Sequence, residues 1–165
     1  MSQKLSLKEL VIIETKKCAG DAVHFMKKYC LIQHPKRGRV HFNLYPFQEN
    51  VLRDFTTHRF NIILKSRQLG ISTLCAAYAL WKMIFQKDFN VLVIATTQET
   101  AKNLVTKVQV MYDGLPSWLK QGIKHDENNK LSLRLSNGSQ IRAVSSNENS
   151  ARSSAVSLLI LDEFA

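Results

Sequence analysis

Three short, unbroken apolar runs constrain the fold of this chain more than any other feature. They are Asn61-Ile62-Ile63-Leu64, Val91-Leu92-Val93-Ile94-Ala95 and Leu158-Leu159-Ile160-Leu161. A strand wet on one face alternates apolar and polar residues, whereas one covered on both faces stays apolar throughout, as in a parallel sheet. Between the first two runs, Leu74, Ala77, Tyr78, Trp81, Ile84 and Phe85 recur at helical spacing. After the second run, Thr96 and Glu99 have the spacing of a capping box. Ala101, Leu104, Val105, Val108 and Met111 then form an inward stripe that Gly114 and Pro116 end. Strand, helix, strand, helix in this order predicts right-handed βαβ units. The expected fold class is therefore α/β, a three-layer domain with a central, mostly parallel sheet.

The flanking segments differ in pattern. Residues 1–59 read as a helical lead-in and residues 60–165 as the sheet-bearing core. In the lead-in, Ser6 and Glu9 form a capping box, with Leu7, Leu10 and Val11 following on one face. Asp21 is placed to cap a helix carrying Ala22, Phe25, Met26 and Tyr29. His34-Pro35-Lys36-Arg37-Gly38-Arg39 breaks that helix, and Pro46 starts another with Phe47, Val51, Leu52 and Phe55 inward. Within the core, Leu131, Leu133 and Leu135 alternate with polar residues, Asn137-Gly138 supplies a turn, and Ile141, Ala143 and Val144 return. That is the signature of a β-hairpin inserted among the βα units.

A chain of 165 residues suits one compact core. No stretch holds the roughly 18 consecutive apolar residues of a membrane span, and the N-terminus lacks the apolar segment of a signal peptide. Three cysteines without CxxC spacing argue against a disulfide frame or a zinc site. The five histidines show no metal-binding spacing either. A net charge of +10 favours polyanionic partners such as nucleic acid.

Two segments carry candidate chemistry. Lys65-Ser66-Arg67-Gln68-Leu69-Gly70-Ile71-Ser72-Thr73 lies between an apolar run and a helix, where backbone N–H groups and a helix N-terminus can cradle a polyphosphate. Gly70 and Ser72 fit the second glycine and the metal-ligating hydroxyl of GxxxxGK[ST]. Lys65 stands where the first glycine belongs, and Ile71 where the phosphate-binding lysine belongs. Arg67 offers a guanidinium inside the loop instead. A strand-to-helix turn without a ligand is the alternative reading. The other segment is Leu158-Leu159-Ile160-Leu161-Asp162-Glu163. A carboxylate at the end of a buried strand faces the ligand crevice of an open α/β sheet. Asp162 suits a Mg²⁺ ligand and Glu163 a base for an attacking water, the alternative being two surface acids at a strand exit.

Taken together, KSRQLGIST, VLVIATTQETAKNLV and LLILDE resemble the ATPase core of tailed-phage large terminases, in particular the T4-like branch. Leu44-Tyr45-Pro46-Phe47-Gln48 resembles an adenine-recognising Q motif, and Ile32-Gln33-His34-Pro35 also has the look of the family. The likeness runs from about residue 20 to the end. It implies a P-loop NTPase fold of the RecA/ASCE-like kind and ATP with Mg²⁺ as cofactors. Tyr45, Gln48 and residues 65–73 would bind the nucleotide, Ser72 and Asp162 the Mg²⁺. Arg67 would be the Walker-A arginine and Glu163 the catalytic carboxylate. Arg152, shortly before the acid pair, takes the place of an arginine finger reaching a neighbouring subunit.

The resemblance further implies double-stranded DNA, a portal protein, a small terminase subunit and further copies in a ring as partners. No membrane is involved, and the setting would be the bacterial host cytoplasm, transiently on the procapsid. It puts the coupling motif, later strands and a nuclease domain beyond Ala165, so the 165-residue piece is expected to turn over little ATP. Two other functions share these motifs: a helicase-like nucleic-acid-dependent ATPase, and a domain that binds nucleotide or DNA without hydrolysis, which Ile71 favours. Lys36, Arg37 and Arg39 are lesser candidates for phosphate contact, and Thr96 and Thr97 for nucleotide sensing.

Overall fold

A computed structural model describes residues 6–34, 36–120, 123–129, 131–145 and 155–163. Helices α1 (Leu7–Gly20) and α2 (Ala22–Tyr29) begin the chain, and α1 has the expected Ser6–Glu9 capping box. The Asp21 carboxylate caps α2 by accepting from the His24 backbone N–H at 2.9 Å. The segment expected to be only a helix break is a second element type, the antiparallel pair β1 (Leu31–His34) and β2 (Gly38–His41). Its apolar residues are too few to announce strands, and pairing across the turn supplies what propensity does not. Helix α3 (Pro46–Thr57) follows, with Pro46 in its first turn. Gln48 and Leu52 are buried and Val51 and Phe55 pack on the core as expected, while Phe47 turns outward and stacks on Tyr45.

Helix α4 (Ile71–Phe85) leads to β3 (Asn90–Ala95), α5 (Gln98–Gly114) and the short α6 (Ser117–Lys120). Thr97, not Thr96, caps α5, its hydroxyl accepting from the Thr100 N–H at 3.2 Å. Strands β4 (His125–Asn129), β5 (Ser132–Leu135), β6 (Gln140–Ser145) and β7 (Leu158–Asp162) complete one five-stranded sheet in the order β4-β5-β6-β3-β7. Both β6 and β7 run parallel to β3, as the βαβ pattern requires. The expected hairpin forms, and it belongs to the main sheet, because β6 is the parallel neighbour of β3.

Asn61-Ile62-Ile63-Leu64 does not form the strand that its composition predicts. Among the described residues no strand pairs with it, and Ile62 and Leu64 are fully exposed. An apolar run records a preference for extended backbone, but a parallel strand forms only where a neighbour supplies its ladder.

Strand register puts Val91, Val93 and Ala95 on one face with Ile141, Ala143, Ile160 and Asp162. That face, buried against the helices, makes the main core with Phe25, Met26, Leu74, Leu80, Leu104 and Val108. On the opposite face Leu159 and Leu161 remain half exposed. The apolar face of α1 is also mostly open, with Leu7 and Leu10 exposed, and beside the buried Cys18 the helix is held by polar contacts. Trp81 Nε1 donates to the Cys18 carbonyl at 2.8 Å, and Glu14 Oε1 meets His24 Nε2 at 2.6 Å, Lys28 Nζ at 2.8 Å and Tyr29 Oη at 2.8 Å. These partners, Lys28 first, hold the Glu14 carboxyl down from 4.5 to about 2.

A carboxyl with a depressed folded-state pKa stabilises the fold above its unfolded value and ceases to do so as pH falls through the folded one. Glu14→Gln should therefore lower the thermal midpoint by a few degrees at neutral pH. The gap from wild type should close between pH 4.5 and about 2. Circular-dichroism melts across that range check it, and a pH-independent gap would assign the effect to packing. Cys18 lies within 4.8 Å of Glu14 and His24, but the Lys28 ammonium on Glu14 makes this trio an interhelical clamp.

Candidate nucleotide site

The loop ahead of α4 has left-handed backbone at Gln68 (φ 65°) and at Gly70 (φ 72°). Alternation of right- and left-handed residues curls a chain so that successive N–H groups point into a concavity, the backbone form of an anion nest. Gly70 is also the N-cap of α4, and no side chain caps the helix there and no acid lies in its first turn. Its first N–H groups and the positive end of its dipole are thus left to an anion.

Gly70 is required for a second reason. A Cβ at this position would sit 2.8 Å from Gln48 Nε2. Gln48 is only 2% exposed, donates from Nε2 to the Leu69 carbonyl at 2.9 Å, and accepts at Oε1 from the Tyr45 N–H at 3.0 Å. It therefore ties the start of α3 to the loop ahead of α4, a role its place in a Q-like motif does not reveal. Beside it the Tyr45 and Phe47 rings are exposed and stacked, 5.7 Å apart and 8° from parallel.

The two chemistry-bearing segments meet across 90 residues of sequence: Ser72 Oγ donates to Asp162 Oδ1 at 2.9 Å. The reason lies in the register. Asp162 pairs with Ala95 and so shares the helix-facing side of the sheet, where the first turn of α4 presents Ser72. Asp162 is 9% exposed, whereas Glu163, one residue beyond the strand, is exposed and turned out with φ 55°. A left-handed glutamate costs on the order of 1–2 kcal/mol, and strain of that kind clusters at functional positions.

Cys75, one turn along α4 from Ser72, reports the local field. Burial pushes its thiol up to about 12 with the Asp162 charge adding to it, while Lys65 and Lys107 pull the other way. Asp162, Lys65 and Lys107 thus all lie within electrostatic reach of Cys75; Cys75 and Lys107 are neighbours that no motif pointed to. Ile71 is 5% exposed and packs into the core, leaving its backbone for a ligand. Arg67, Ser66 and Gln68 are exposed on the loop, and Thr73 is half-buried behind it. Thr96 and Thr97 are exposed at the same sheet edge, Thr97 engaged as a cap. Arg152 lies outside the described residues.

A hydroxyl and a carboxylate oxygen held together make a hard, all-oxygen donor set of the kind Mg²⁺ takes. Among the described residues no helix is long and apolar enough to cross a membrane.

The chain is similar in structure to the HK97 bacteriophage large terminase. That match has a TM-score of 0.67 and 18% sequence identity, covering 87% of this chain and 30% of the other. The chain thus spans less than a third of the length of that terminase, and at this identity the likeness speaks for the fold. The family described as phage terminase large subunit gpA, ATPase domain, matches residues 34–165. With four-fifths of the chain so matched and the loop, strand and acid pair assembled as described, this α/β protein of the P-loop NTPase kind belongs to the phage terminase large subunit gpA ATPase-domain family.

Proposed function

We propose that this chain is the ATP-hydrolysing part of a viral genome-packaging motor, which couples Mg-ATP hydrolysis to movement of double-stranded DNA into a capsid. The observation that carries the reading is the 2.9 Å contact between Ser72 and Asp162, which joins the phosphate loop to the acid pair. In this proposal residues 60–165 form the nucleotide-binding core and residues 1–59 the lead-in that brings Gln48 and Tyr45 to it. Portal protein, small terminase subunit and further copies in a ring, with Arg152 reaching a neighbour's nucleotide, belong to the same proposal.

The division of labour follows from exposure and charge. Loop N–H groups and the N-terminus of α4 bind phosphate oxygens. Ile71 brings no charge, so Lys65 and Arg67 supply the cations that the phosphates need, Arg67 with a fork that can hold two oxygens at once. Ser72 and Asp162 would hold Mg²⁺, whose chemistry there is to neutralise phosphate charge. Glu163, outside the buried strand, orients a water and takes its proton. Beyond its two internal bonds, Gln48 retains one amide hydrogen and one carbonyl lone pair, the complement of an adenine edge, with the Tyr45–Phe47 stack beside it.

Calorimetric titration with ATP tests the assignments. Arg67→Ala should weaken Mg-ATP binding by about ten- to a hundred-fold, the worth of a charge-assisted contact. Ser72→Ala should leave metal-free nucleotide binding intact while removing the increment that Mg²⁺ adds. Equal Mg-ATP affinity in wild type and both variants would dismantle the proposed site.

A further inference from the structure

The nucleotide site leaves the β1–β2 ribbon without a role. We infer that this ribbon is a contact for duplex DNA, with Lys36, Arg37 and Arg39 seated on the phosphate backbone. The inference rests on the packaging-motor reading for its partner, but on separate residues.

Its first support is charge. From Ala22 to Gln48 the chain has no acidic residue and five lysines and arginines. Two of the five are already paired, Lys27 with Glu49 and Lys28 with Glu14. The other three are those of the ribbon, all exposed, and none has an acidic partner among the described residues. Such a group, on meeting a duplex phosphate, releases counterions that are condensed on the DNA.

The second support is preorganisation. The His34 Nδ1 accepts from the backbone N–H groups of both Lys36 and Arg37, each at 3.2 Å, and Gly38 takes the left-handed conformation (φ 69°) that closes the turn. Lys36 and Arg37 are thus tied through their backbone to the end of β1. The base of the ribbon is fixed as well, since Leu31 packs on Gly114 of α5, where a Cβ would come within 3.1 Å. Register sets Ile32 opposite Val40 on one face, Ile32 packed on the core, and Gln33 opposite Arg39 on the other. Gln33, Arg39 and His41 are all exposed. A two-stranded ribbon with a cationic tip, an exposed Arg39 beside it and an anchored base has dimensions that a DNA groove admits.

The test is fluorescence anisotropy of a labelled DNA duplex titrated at several salt concentrations. It compares wild type with Lys36→Ala/Arg37→Ala/Arg39→Ala and with Lys8→Ala/Lys16→Ala/Lys87→Ala. Both triple variants remove three exposed cations, so net charge is matched. At about 0.9 of logarithmic salt slope per phosphate contact, the ribbon variant should flatten the slope by roughly 2 to 3 and weaken binding at least ten-fold near physiological salt. The control should lose clearly less. Equal losses in the two variants would reduce the effect to net charge and overturn the ribbon as a site, leaving the DNA partner standing. A wild-type chain that does not bind duplex would overturn both. Mg-ATP affinity, measured in parallel, should be the same in all three proteins.

Discussion

Glutamine at position 163 is expected to lower ATP turnover by the proposed packaging ATPase by about 10²–10⁴-fold, the usual worth of a positioned base. At about 1.4 kcal/mol per factor of ten, that is roughly 3–5 kcal/mol of lost transition-state stabilisation. Mg-ATP binding should hardly change, because the proposed metal and phosphate ligands are Ser72, Asp162, Arg67 and the loop N–H groups. The division between the two acids rests on where each sits. Asp162 is buried on the helix side and already takes the Ser72 hydroxyl, whereas Glu163 is exposed with φ 55°. That backbone strain allows a sharper test. Glu163→Gly relieves it and should raise stability by about 1 kcal/mol while abolishing turnover. A residue with only a structural role would not stabilise on removal and cost activity together. Turnover within two-fold of wild type in Glu163→Gln would take the base role away from this residue.

The parts of the site legible in the sequence were those whose chemistry depends on a short local pattern. KSRQLGIST between an apolar run and a helix, and LLILDE at a strand end, imply a loop and an acid pair because both need only their immediate neighbours. Their meeting at Ser72 and Asp162 follows from β3 and β7 being parallel neighbours, a pairing that the apolar runs alone do not specify. What escaped depended on partners distant in sequence. Gln48 stands out by its place in the Q-like motif, but its bond to the Leu69 carbonyl appears only once α3 packs beside the loop. The ribbon went unseen because β2 has a single apolar residue, Val40, and its stability comes from pairing with β1. The reverse error has the same origin: Asn61–Leu64 has a strand's composition without a paired neighbour among the described residues. Thr96 and Thr97 are adjacent and chemically alike, so spacing could not choose between them. The β3 ladder ends at Ala95, and the helix then starts one residue later than the capping-box spacing suggested.

The fold also depends on the far end of α4, and alanine at Gly138 should destabilise the whole chain by roughly 2–4 kcal/mol, a large share of a domain's usual margin. Gly138 has φ 84°, and a Cβ there would come within 2.0 Å of Asp88 Oδ1 and 3.0 Å of its Cγ. The turn it permits joins β5 to β6 and closes over the C-terminus of α4. Asn137 Nδ2 donates to the Met83 carbonyl at 2.8 Å and to that of Gln86 at 3.2 Å, and Ser139 Oγ donates to Gln86 at 2.9 Å. These bonds satisfy the carbonyls that a helix end leaves open. Two costs can be separated. Asp88 is itself left-handed (φ 53°), so Asp88→Gly removes a clashing side chain and a strained backbone at once. In the Gly138→Ala background it should recover the steric part and leave about 1–2 kcal/mol of left-handed strain. Urea denaturation of the two single variants and the double variant measures this coupling. Mg-ATP affinity well below the unfolding midpoint should stay near wild type, because Ser72 lies at the opposite end of a 15-residue helix. A Gly138→Ala chain with an unchanged midpoint would mean that the turn is not what holds α4 in place.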